Sequence, residues 1–159
     1  MELQMHKTSA GILPYRNNSG QLEVLLVHPG GPFWAGKDLG AWSIAKGEYE
    51  NEEPFQAALR EFQEETGHVP TGPFLRLASR RQPSGKLVDA WATETDWDPA
   101  KLVSNTFTIE WPKGSGQVRE FPEVDRAEWF GFPEAVRRIL PGQRGFLEEL
   151  YEKLTGEKL

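Results

Sequence analysis

The sequence predicts an α/β protein in which helices cover the faces of a mixed β-sheet. Two observations carry that expectation. The chain runs from short apolar, β-branched segments through a single amphipathic helix to further strand-like segments, and ends in helical sequence. The central helix presents one complete apolar stripe, as a helix docked on a sheet does.

Ser9 to Tyr15 and Leu22 to His28 read as strands, separated by the turn Arg-Asn-Asn-Ser-Gly. Pro29 to Gly40 is a loop rich in Gly and Pro that carries Phe33 and Trp34. Trp42-Ser43-Ile44 reads as a brief strand leading into Lys46-Gly47. A helix begins at Pro54, a residue suited to the first turn, and stops at Gly67. Phe74 to Arg81 and Leu87 to Thr95 read as strands around a Gln-Pro-Ser-Gly-Lys turn, and Asp96 to Ser104 as loop. Thr106 to Trp111 and Ala127 to Phe130 are further strands, joined by a polar Lys-Gly-Ser-Gly linker and then Arg119 to Arg126. Pro133 to Leu140 and Gln143 to Leu154 are helical, broken by Pro141-Gly142.

The 159 residues suit one domain, 1–159, and no internal repeat or low-complexity tract divides them. A net charge of −6 argues against nucleic acid as a partner. The absence of cysteine excludes a disulfide scaffold, a thiolate metal site and a Cys nucleophile. Met1 to Lys7 lacks the basic-then-apolar pattern of a secretory signal, and no stretch approaches the roughly 18 apolar residues of a membrane span. The expectation is a cytoplasmic protein without a membrane partner.

Phe55, Ala58, Leu59 and Phe62 form the apolar stripe of the central helix, while Glu61, Glu64 and Glu65 project from another side. Like charges at these spacings repel by a few tenths of a kcal/mol each. A hard divalent cation such as Mg²⁺, which prefers oxygen ligands, offsets that repulsion. A solvated acidic face is the alternative for two or three glutamates without context. Here the context is specific: Arg60 stands beside the cluster, Gly47 and Glu52 precede it, and Gly67 closes it.

This segment resembles the Nudix box, the signature of the Nudix hydrolase family. Its usual form is Gly, five residues, Glu, seven residues, Arg-Glu, an apolar residue, any residue, Glu-Glu, any residue, Gly. Arg60-Glu61-Phe62-Gln63-Glu64-Glu65-Thr66-Gly67 matches throughout, and Glu52 has the expected spacing to Arg60. Only four residues separate Gly47 from Glu52, and Ala45 stands where many relatives carry Pro. The resemblance implies the family's α/β/α sandwich and places one to three Mg²⁺ or Mn²⁺ ions on Glu61, Glu64, Glu65 and the Gly47 carbonyl. It also implies a Glu52–Arg60 salt bridge bracing the loop against the helix. Cleaving a diphosphate by water requires neutralised phosphate charge and an activated nucleophile, which such metals supply.

The resemblance further implies a ligand or general base from the loop before the last strand, with Glu123 the first candidate and Glu120 the second; Glu64 or Glu65 is the alternative base. Lys46, beside the box, and Arg81 and Lys86, flanking a turn with Arg80, are candidate phosphate contacts. Among six tryptophans, Trp34, Trp42, Trp91 and Trp111 are candidates for a base-stacking platform, although such residues more often pack in cores. His28 and His68 lack ligand-like spacing and read as structural.

The resemblance implies a Mg²⁺-dependent pyrophosphohydrolase acting on a nucleoside polyphosphate or a related nucleoside diphosphate derivative. The stretch from Arg81 to Phe130 looks like the bacterial branch of predicted nucleoside triphosphate pyrophosphohydrolases. Dinucleoside polyphosphate and ADP-ribose hydrolysis are alternatives, and a non-catalytic nucleotide-sensing module is the alternative of another class. Pro83 resembles an ADP-ribose marker, but it also has a local explanation as a turn proline. The implied partner is a small nucleotide. The sequence leaves the oligomeric state open, a homodimer included.

Overall fold

The computed structural model describes residues 8–159; the Met1–Lys7 segment, and with it the reading of the N-terminus as free of a signal, lies outside the described residues. Among the described residues, nine strands and three α-helices follow one another as β1 (Thr8–Asn18), β2 (Gln21–Pro29), β3 (Ala45–Glu48), α1 (Pro54–Thr66), β4 (Phe74–Arg76), β5 (Arg80–Arg81), β6 (Leu87–Glu94), β7 (Thr106–Glu110), β8 (Val118–Pro122), β9 (Val124–Gly131), α2 (Phe132–Arg138) and α3 (Arg144–Thr155).

The main sheet runs β4-β6-β1-β2-β9, with β3 added to β1 and β5 to β6. It is mixed, as the sequence predicts: β1 and β6 are parallel and the remaining pairs antiparallel. Successive side chains of a strand face opposite ways, so each strand feeds two cores. Leu13, Val24, Leu26, Val88 and Ala90 pack toward α2 and α3 with Phe132, Phe146 and Leu150. Ile12, Leu25, Val27 and Trp91 pack toward α1 with Ala57, Ala58 and Phe62. These two apolar layers make the α/β/α sandwich.

One edge of β1 changes partner along its length. Ser9–Ile12 pairs with β3, and Tyr15–Asn18 pairs with β2. Pro14, which has no N–H to offer, lies between the two ladders. The split lets β3 carry Lys46 and Gly47 to the Glu61 side of α1. Gly11 permits that approach: a Cβ there would lie 2.6 Å from the Lys46 Cβ.

Several boundaries differ from the sequence reading. The strand placed at Trp42–Ile44 is instead β3, and Trp42 and Ser43 make only isolated bridges, to Ile139 and Val27. Trp42 is fully buried, so its apolarity reports core rather than strand. Phe74–Arg81 is two short strands, because Leu77 bonds to Ala90 and Ser79 to Asp89 in between. The segment read as a linker and loop contains β8, which pairs with β7 in a separate hairpin. The final strand starts three residues before Ala127, at Val124. Among the described residues no helix is long and apolar enough to cross a membrane.

Candidate active site

The acidic helix is fixed at both ends by backbone geometry. Pro54 occupies its first turn, and Gly67 (φ 81°) closes it in the left-handed conformation, donating its N–H to the Gln63 carbonyl at 2.7 Å. Ala57, Ala58 and Phe62 are buried against the sheet, and Phe55 packs edge-on to Phe74 and Trp91. That anchoring leaves Glu61, Glu64 and Glu65 facing β3.

Together with Lys46, Gly47, Glu48, Asn105 and Glu123 they line a cavity of about 320 Å³. Glu123 sits between β8 and β9, where its N–H donates to the Asn105 carbonyl (2.8 Å) and its own carbonyl accepts from Gly30 (2.9 Å). The hairpin and the loop after β2 therefore hold it at the mouth of the site. Among the described residues no hydrogen bond or ion pair engages its carboxylate.

Arg60 organises the other side. Its Nε and Nη2 donate to Glu52 at 3.1 and 2.7 Å, and its Nη1 donates to Glu61 at 3.0 Å and to Glu64 at 3.1 Å. Hydrogen bonding from Arg60 holds the Glu52 carboxyl below the usual range, and Glu52, Glu64 and Glu61 keep the guanidinium firmly charged. The connection from β3 is short, Tyr49–Glu53, and Asn51 absorbs the tightness by taking a left-handed conformation (φ 55°). Glu52 therefore still reaches Arg60.

Gly47 is required sterically, because a Cβ at this position would collide with the Glu61 carboxylate. Glu65 is the least compensated acid. Its Oε2 is shut off from solvent and has no hydrogen-bond partner in the structure. Burial, then repulsion from Glu61 and Glu123, pushes its carboxyl well above the ordinary range, with Lys46 pulling the other way. Burial raises Glu61 as well, with Arg60 opposing. Burial and the neighbouring Lys86 lower Lys46, which the carboxylates partly offset.

Among the described residues no three of these groups converge into a preformed metal cluster. Arg60 holds Glu61 and Glu64, and uncompensated carboxylates repel. Even so, the donor set fits a hard divalent cation: hard oxygens only, one of them buried and unpartnered, beside a second acid pushed toward protonation.

The other candidates fall outside this centre. Lys86 pairs with Glu48 at 2.9 Å and stands at the rim. Arg81 donates to the Gly85 carbonyl at 2.7 Å and ties its own hairpin. Arg80 pairs with Glu149, and Glu120 lies on β8 opposite Thr108. Pro83 lies in the turn between β5 and β6, which the Gly85 N–H closes on the Gln82 carbonyl at 2.8 Å. Trp42 and Trp91 are core, Trp111 meets Phe33 edge-on, and Trp34 lines a second cavity beside the first. His28 and His68 are both structural in their contacts, His28 between Asp125 and the Lys37 carbonyl and His68 stacked on Trp97. Asn105, which lines the site, escaped the sequence reading because a lone Asn in a loop carries no signal.

A mixed sheet between helices, with an Arg-braced acidic helix at one end, defines a sandwich that gathers acids around phosphate-sized space. The NUDIX domain family model matches residues 5–150, and the chain belongs to the Nudix family. Its fold is similar to the NUDIX domain of Shewanella oneidensis NrtR in complex with ADP ribose (TM-score 0.66, 17% identity, covering 96% of this chain and 91% of that one). It is also similar to a C. elegans Ap4A hydrolase binary complex (TM-score 0.65, 20% identity, 94% and 99% covered). The E. coli ORF135 protein is a further structural relative (TM-score 0.56, 22% identity, 96% and 94% covered). Comparison with curated proteins gave no match.

Proposed function

We propose that the chain, as a single domain over 1–159, is a Mg²⁺- or Mn²⁺-dependent pyrophosphohydrolase of nucleoside polyphosphates or related nucleoside diphosphate derivatives. The observation that carries this reading is the buried, unpartnered Glu65 oxygen beside Glu61, facing Gly47 and Lys46 in one cavity. Glu61, Glu64 and Glu65 would hold the metal with the Gly47 carbonyl. When bound, the metal neutralises phosphate charge and lowers the pKa of a water.

The chain's own residues supply the rest. Lys46, half-buried at the cavity wall, offers its ammonium to a phosphate oxygen. Glu123 has its carboxylate free to take the proton of the attacking water; Glu64 is tied to Arg60, which makes it the weaker candidate. Arg60 and Glu52 brace the loop against the helix. Lys86 would act on the site through Glu48, while Arg81 donates to the Gly85 carbonyl of its own hairpin.

Hydrolysis of a panel of nucleoside triphosphates, dinucleoside polyphosphates and ADP-ribose, with Mg²⁺ and with EDTA, tests the reading. Metal-dependent release of a nucleoside monophosphate is expected, and Glu65→Gln or Glu64→Gln lowers turnover by orders of magnitude in a folded protein. Undiminished hydrolysis by either variant overturns the metal assignment. Tight nucleotide binding by the wild type without turnover points to a sensor instead.

A further inference from the structure

β9 leaves Glu123 through an irregular start. His28 of β2 stands opposite Arg126 and Pro29 opposite Val124, so Asp125 has no partner on β2. An extra residue of this kind is a β-bulge, which bends its strand and re-aims the side chains around it. Pro29 has no N–H, so it gives the ladder no donor at this point. Backbone pairing resumes where the Gly30 N–H donates to the Glu123 carbonyl at 2.9 Å. The His28 side chain supplies the missing tie, with Nδ1 2.8 Å from Asp125 Oδ1. Arg126 Nε, 3.7 Å from the same oxygen, is beyond hydrogen-bond reach.

The ring that makes this contact is not free to turn. His28 is fully buried and meets Trp42 edge-on, with centroids 5.2 Å apart. Its other nitrogen, Nε2, lies 2.7 Å from the Lys37 carbonyl. A carbonyl can only accept, so Nε2 carries a hydrogen and Nδ1 is left to face Asp125, a shared proton completing that bond. The loop behind Lys37 is held in turn. Asp38 accepts from Arg138 at 2.6 Å and from the Trp42 indole at 2.8 Å, and the Gly40 N–H donates to the Arg137 carbonyl at 3.1 Å. One chain of contacts therefore runs from α2 through the Lys37 carbonyl and His28 to Asp125.

A buried histidine bonded at both nitrogens holds a core together wherever it occurs. This one ends its chain of contacts two residues from Glu123, which lines the cavity with Glu61, Glu64 and Glu65. Asn105 and Gly30 hold the Glu123 backbone from the hairpin and from the loop after β2, and the bulge holds it from the β9 side.

Resting on the hydrolase reading, in which Glu123 takes the proton of the attacking water, we infer that His28 is a positioning residue for Glu123. Through the bulge at Asp125 it sets the direction of the Glu123 carboxylate, and the Lys37 carbonyl sets the direction of His28.

The kcat and KM of two neutral replacements separate this from a general structural role. Asn carries its amide at the reach of Nδ1 and keeps the Asp125 contact, whereas Gln carries it at the reach of Nε2 and keeps only the Lys37 contact. His28→Gln is expected to lower kcat by about tenfold to a hundredfold with KM little changed, and His28→Asn to restore most of that loss. Asp125→Ala, at an exposed position, reproduces the His28→Gln loss and is not additive with it, so the test survives if the buried site rejects replacement. In a Glu123→Gln background each of these changes is silent, because the group being aimed is gone. A loss that persists in full in that background overturns the inference, as do His28→Asn and His28→Gln of equal rate, or Asp125→Ala at the wild-type rate. Those outcomes arise in an active enzyme and leave the hydrolase reading standing. Absence of hydrolysis in the wild type overturns that reading, and the positioning role with it.

Discussion

Burial and the charges of Glu61 and Glu123 push the Glu65 carboxyl well above the ordinary carboxylate range in the metal-free fold. Its orphaned Oε2 and its neighbours Glu61 and Glu123 penalise the charge. The sign of the consequence is fixed by linkage. A group whose folded pKa is raised stabilises the fold fully below its unfolded pKa, and that stability is lost as pH rises through the folded value. Metal-free protein should thus melt at progressively lower temperature as pH is raised from the ordinary carboxylate range upward. Glu65→Gln, neutral at every pH, should flatten that part of the profile and raise Tm at neutrality. Thermal melts in EDTA across the acid-to-neutral range measure this; a variant whose profile parallels the wild type would show that Glu65 is not the strained group.

The connection between β3 and α1 shows what an element tolerates when its loop is shortened. The box spacing, the helix and its caps were legible in the sequence because each depends on short-range spacing, and the Glu52–Arg60 contact was implied by the resemblance to the Nudix box. How a chain with one residue fewer keeps that contact was not legible: the answer lies in the backbone of Asn51 (φ 55°), a conformation Asn adopts more readily than most residues. A β-branched residue there is a steric outlier, so Asn51→Val should cost about 1–3 kcal/mol, while Asn51→Gly should leave stability near the wild type. Denaturant unfolding of the two variants decides it, and equal stability would refute the strain argument. The same distinction explains β8. Val118, Arg119 and Glu120 are exposed, and with little burial on either face there is no apolar alternation to read. Trp42 failed in the opposite sense. Its apolar run belongs to a core layer, where strand and loop residues look alike, and only the pairing of Gly47 with Ala10 shows which segment is the strand.

The molecule as a whole joins these parts into one linked equilibrium. Its two cores fix the sheet, the partner change along β1 projects β3 over α1, and the β7–β8 hairpin returns Glu123 to the same cavity. The acids meet only in the folded chain, so a cation that needs them together binds the native state and not the unfolded one. Stabilisation then follows mass action, about 2.7 kcal/mol when free metal is a hundredfold above its Kd. Protons compete for the same oxygens, so metal binding releases them and affinity rises with pH. The two dependences oppose one another. On the proposed metal site, raising pH would weaken the metal-free fold through Glu65 and strengthen the contribution of Mg²⁺ through the same residue. The difference between Tm in Mg²⁺ and Tm in EDTA should therefore widen from acid toward neutral pH, and Glu65→Gln should shrink it at every pH. Paired melts at matched ionic strength, with Ca²⁺ and Na⁺ as controls, separate this from general screening. A gap of constant width across pH would place the cation away from Glu61 and Glu65.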